Sequence, residues 1–72
     1  MSCKPTIWRT PEGGVVSCYE KNRVMQENLA EIAQVCRESL DDAVLMGCDE
    51  QQFREVVADL VRNLASPYSA AK

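Results

Sequence analysis

Between Met25 and Ala43 the apolar residues Met25, Leu29, Ile32, Cys36, Leu40 and Ala43 recur in steps of four, three, four, four and three. That spacing draws one stripe along an α-helix, with Ala33 and Val44 flanking it. From Ser17 to Met46 the chain has neither Gly nor Pro, and ENLAEIAQVCRESLDDAVLM is rich in helix formers. Cys18, seven residues before Met25, lies on the same stripe. The expected first helix covers residues 18–46, about 43 Å at 1.5 Å per residue. Its start is expected at Ser17, whose hydroxyl can accept from the Glu20 N–H while the Glu20 side chain reaches back; Asn22 is a competing, later start.

A second amphipathic segment holds Phe53, Val56, Val57, Leu60, Val61 and Leu64 in steps of three, one, three, one and three, with Arg54, Glu55, Asp59, Arg62 and Asn63 opposite. It predicts a helix over 50–65, halted by Ser66-Pro67. Between the helices, MGCDEQQF has a structural task at every position. Gly47 supplies the left-handed residue that ends the first helix. Asp49 caps the second, with Gln52 completing the reciprocal pair. Glu50 puts negative charge in the first turn, in i,i+4 register with Arg54. Cys48 and Phe53 hold the two positions of an apolar staple, and so Cys48 reads as a small apolar plug. Its place beside a helix N-terminus favours the thiolate, which Asp49 and Glu50 oppose.

The first 16 residues follow neither period. Thr10-Pro11-Glu12-Gly13 predicts a type I turn, with Pro at its first central position and Gly closing it. A short hairpin pairing residues 6–9 with 15–18 is expected, or else an extended arm, since isolated two-stranded ribbons are barely stable in water. The domain reading is an arm or ribbon over 1–16, a helical hairpin over 17–65 and a tail over 66–72, from which Tyr68 can fold back onto the ribbon.

The expected fold is mainly α: an antiparallel αα-hairpin with a short N-terminal β-ribbon or extended arm. The helices are unequal, so the stripe of the first runs past the second through Met25 and Cys18. Two chains sharing that surface as a homodimer, a two-fold four-helix bundle, is the simplest remedy. Length sharpens the point, because a 72-residue chain builds a marginal core that usually needs association, metal or disulfides. With 46% hydrophobic residues the chain is too apolar for intrinsic disorder.

Charge and chemistry narrow the function. Residues 1–23 carry Lys4, Arg9, Lys21 and Arg23 against Glu12 and Glu20, a balance of +2; residues 24–72 carry four basic against nine acidic groups, a balance of −5. An acidic body argues against nucleic acid, leaving only paired basic arms as a route to DNA. No segment approaches the ~18 apolar residues of a membrane span, and the first residues lack an apolar leader, so a cytoplasmic protein is expected. LMGC at 45–48, which resembles a lipoprotein cleavage box, follows a charged helix instead of a leader. The four cysteines, Cys3, Cys18, Cys36 and Cys48, include no C-x-x-C pair, and the chain has no His. Neither a single-chain zinc site nor a bound cofactor is expected.

Lack of His removes the commonest general base and activator of nucleophiles, and Gly13-Gly14 matches no phosphate-binding loop, so an enzyme is not expected. Glu27, Glu31, Glu38 and Asp42 form an acidic stripe on the first helix, suited to a basic partner. Trp8 and Arg9 are of the residue types enriched at interface hot spots. Together these six are the expected partner-binding residues of a non-enzymatic interaction module: a regulator, adaptor or accessory subunit. The alternative is a thiol- or metal-dependent accessory protein or sensor using Cys3, Cys18 and Cys48.

Overall fold

A computed structural model of the chain describes residues 6–69. Cys3, Lys4 and the ends of the expected arm and tail lie outside the described residues. The chain is mainly helical, with helix α1 at Tyr19–Leu45 and helix α2 at Glu50–Arg62. It divides into two compact units, one ending at Cys36 and the other beginning at Arg37, so the division falls within α1.

The first unit begins with a turn that the sequence anticipates closely. The Gly13 N–H donates to the Thr10 carbonyl at 2.9 Å, closing the type I turn around Pro11-Glu12. Gly13 has φ 95°, the left-handed residue that follows a type I turn in short hairpins. Beyond it, Thr10 N donates to the Gly14 carbonyl at 2.7 Å and Val16 N to the Trp8 carbonyl at 2.8 Å. The pairing stops there: Arg9 and Val15 make one isolated antiparallel bridge, and no strand forms among the described residues. Asn22 ties this turn to α1, its side-chain N–H2 donating to the Val16 carbonyl at 3.1 Å. Trp8, Val16 and Met25 are half-buried here.

The start of α1 differs from the expected Ser17–Glu20 box. Cys18 directly precedes the first helical residue, where the backbone N–H groups of Lys21 and Glu20 hold its thiol pKa below the ordinary value, and its carbonyl accepts from Asn22 N at 3.1 Å. The Glu20 carboxylate turns instead to Arg23, at 2.6 Å, and Arg23 also meets Glu27 at 2.9 Å. α1 begins at Tyr19, so Cys18 is exposed just before the helix and the helical part of the stripe starts at Met25.

In the second unit the end of α1, the Gly47 turn and α2 form a helical hairpin. Gly47 has φ 86°. The Cys48 N–H reaches back to the Ala43 carbonyl at 2.8 Å and the Gly47 N–H to Val44 at 3.1 Å, the paired bonds of a Schellman termination. Asp49, extended at φ −73° and ψ 128°, then caps α2: its carboxylate accepts from Gln52 N at 2.7 Å. The far end of α2 comes three residues before the expected 65. Asn63 forms the C-cap, and Leu64 N bonds back only to Val61, at 3.2 Å, a tighter i→i−3 closure. Ser66 then begins a separate turn around Pro67, with Ser69 N donating to the Ser66 carbonyl at 3.1 Å. Tyr68 is exposed at 94%.

Neither unit encloses a core. Ala43, at 7% exposure, is the only buried residue among those described. Of the α1 stripe, Met25, Cys36 and Leu40 are half-buried, while Leu29 and Ile32 are open at 36% and 55%. On α2, Phe53 and Val57 are half-buried, but Val56, Leu60, Val61 and Leu64 all exceed 50% exposure. The apolar faces exist as the periodicity requires, yet the described residues cover only their edges.

Candidate interaction surfaces

Trp8 is the organising side chain of the first unit. The turn at Thr10–Gly13 returns the chain so that Val16 reaches the Trp8 backbone, and the Asn22 bond sets this segment on the first turns of α1. Trp8 thereby lines two open grooves. One, of about 420 Å³, is of mixed character: Thr6, Tyr19, Asn22, Arg23, Gln26 and Glu27 complete it. The other, of about 510 Å³, is more apolar, with Arg9, Val16, Glu20, Lys21, Asn22, Val24 and Met25. Trp8 thus borders both the Arg23–Glu27 ion pair and the aliphatic surface of Val16, Val24 and Met25.

Of the six expected partner-binding residues, Trp8 and Glu27 share the mixed groove and Arg9 borders the more apolar one. Arg9 and Glu27 have partners within the chain. Arg9 donates from Nη1 to the Gly13 carbonyl at 3.3 Å, so part of its task is closing the turn. Glu27 receives Arg23, which neutralises one member of the acidic stripe. Glu31 lies further along α1 in the same unit, beside Ile32, Val35 and Cys36 around a shallow apolar depression of about 340 Å³. Glu38 and Asp42 belong to the second unit, and both are exposed on α1.

The thiols separate by position. Cys36 is half-buried on the α1 stripe, and Cys48 is exposed at the turn between the helices. Cys18 is the thiol whose titration is displaced. The N–H groups of Lys21 and Glu20 stabilise its thiolate and hold its pKa below the ordinary thiol value, with a smaller contribution from the Lys21 charge. A cue was present in the sequence: Cys18 directly precedes the first helical residue, and the N–H groups of the first turn favour a thiolate there. Among the described residues no group of three or more Cys, Asp or Glu side chains is placed to hold a metal ion. No described helix is long and apolar enough to cross a membrane.

No protein-family model, curated protein or solved structure matches the chain.

Proposed function

We propose that this chain is a non-enzymatic protein–protein interaction module that works as a homodimer, its two helices joining those of a second copy in a four-helix bundle while the Trp8 segment engages another protein. The observation that carries the reading is the exposure of its apolar faces. Ile32, Val56, Leu60, Val61 and Leu64 are each more than half exposed, and Ala43 alone among the described residues is buried. Association is the physical alternative to leaving such faces in water.

Melting of a homodimer moves upward with protein concentration, because mass action favours the associated state. A melting temperature that rises steadily over a hundredfold increase in concentration supports the reading, and one that stays constant contradicts it. For the partner surface, parallel affinity capture with the wild-type chain and Trp8→Ala is the test. A protein retained by the first and lost by the second supports a Trp8-centred interface; equal recovery by both, or none by either, counts against it.

The displaced titration of Cys18 favours one rival, a thiol-dependent sensor or accessory protein using Cys3, Cys18 and Cys48. Replacing those three together by Ser separates the readings. The interaction module keeps its association and partner capture, whereas a thiol-dependent protein loses its activity. A metal-binding form of the rival also requires stoichiometric metal in native mass spectra after anaerobic purification.

A further inference from the structure

The more apolar of the two Trp8 grooves, about 510 Å³ in volume, lies wholly within the first unit. Its floor is Trp8, Val16 and Met25, all half-buried, with Val24 open at 46% beside them. Three charged groups border that floor, Arg9, Glu20 and Lys21, and all are exposed. Glu20 is already matched, because Arg23 holds its carboxylate at 2.6 Å. Arg9 and Lys21 are not. The Arg9 guanidinium donates to the neutral Gly13 carbonyl, and neither cation meets a carboxylate among the described residues. The other acids of this unit stand apart: Glu27 is bound by Arg23 on the mixed groove, and Glu12 and Glu31 line neither groove.

Resting on the reading of the Trp8 segment as a partner-binding surface, we infer that this groove receives an acidic segment of another protein. One large apolar side chain seats on Trp8, Val16 and Met25, and flanking carboxylates face Arg9 and Lys21. Two unmatched cations beside an apolar floor select for that combination. The anchor supplies affinity by filling the groove, and opposite charge chooses the partner and fixes its register. The rest of the chain rules on the size of the anion. Net charge is −3, so Arg9 and Lys21 are a local exception. Screening confines a short acidic segment to the charges within about 8–10 Å. A nucleic acid or an anionic bilayer spreads its charge more widely, where the acidic remainder of the chain opposes it.

Trp8 is the only tryptophan of the chain, so its fluorescence reports occupation of the groove directly. The probes are short peptides without Trp, selected from a displayed random library on the full chain carrying Cys18→Ser, so that the thiol that feels Lys21 bears no charge. Peptides combining Asp or Glu with Phe, Leu or Met are expected to be enriched, and their synthetic copies to shift Trp8 emission saturably. Arg9→Gln, which keeps a donor for the Gly13 carbonyl, together with Lys21→Glu is expected to weaken them roughly tenfold or more. Copies with Lys in place of their acids then bind this variant more tightly than they bind the parent chain. Should the pair of substitutions prevent folding, as judged by circular dichroism, Lys21→Glu alone at its exposed position must still weaken the acidic peptides severalfold. Enriched peptides that are lost with Trp8→Ala but are neutral or basic, or that bind the charge variant equally well, overturn the acidic partner and leave the Trp8 interface standing. Recovery of no peptide that depends on Trp8 overturns both. Emission that responds to a single-stranded oligonucleotide or to phosphatidylglycerol vesicles, and to no peptide, overturns the inference in favour of that surface.

Discussion

The Gly47 junction and the Leu29–Val35 window sit on the same helix and obey opposite logics. At the junction the backbone is tied by bonds that span only a few residues. The Ala43 and Val44 carbonyls receive Cys48 and Gly47, and Asp49 receives Gln52. In the window the helix is regular, but Leu29, Ile32 and Val35 are exposed at 36%, 55% and 62%. One region is finished by local chemistry, and the other is left for tertiary or quaternary contacts to complete. The lesson is that an amphipathic face and a core are separate facts. Periodicity creates the first, and only a second surface makes the second.

Substitutions can break this comparison, beginning with its more consequential side. Ile32→Asp is nearly neutral if the 55% exposure of this residue describes its working environment, since solvent-facing changes fall within about ±0.5 kcal/mol. The expected outcome is different. An aspartate buried against a second copy costs about 2–4 kcal/mol, read as at least a tenfold weaker self-association together with a lower melting temperature. Gly47→Ala attacks the junction. No atom lies within 4 Å of an added methyl group, so the loss comes from the left-handed backbone alone, about 1–2 kcal/mol by urea denaturation, with Gly47→Asn losing less. Asp49→Ala removes the acceptor for Gln52 N and is expected to cost about 1 kcal/mol. Unlike Ile32→Asp, neither junction variant alters the stoichiometry of association.

The smallest effect concerns Cys18. Because its folded-state pKa is lowered, its alkylation rate rises at lower pH in the native protein than in the urea-unfolded chain. The linked contribution to stability is present above the unfolded thiol pKa and fades as pH falls through the lowered native value. Alkylation of the Cys18-only variant across pH 6–10 checks this. Coincident native and unfolded profiles contradict a lowered native pKa.

Legibility in the sequence follows the same division. Both helices, the type I turn at Thr10–Gly13, the Gly47 termination and the Asp49 cap all rest on interactions spanning a few residues, and their residue types announce them. The start of α1 was harder, because Ser17 and Cys18 both offer an acceptor and only backbone direction decides which sits before the first helical N–H groups. The early end of α2 has the same character: Leu64 continues the apolar period, but the backbone has already tightened at Asn63. In the candidate site, Trp8 and Glu27 could be named from composition and stripe arithmetic. Their meeting in one groove depends on the Asn22–Val16 bond, a contact that no periodicity encodes. Arg9 was legible as a charge but not as the residue that braces the turn through Gly13.

Association is the central claim, and the mass of the folded particle tests it most directly. Light scattering coupled to size-exclusion chromatography, at the lowest concentration that gives a signal, is expected to return twice the 8.1 kDa chain mass. A particle of the single-chain mass that melts cooperatively contradicts the account.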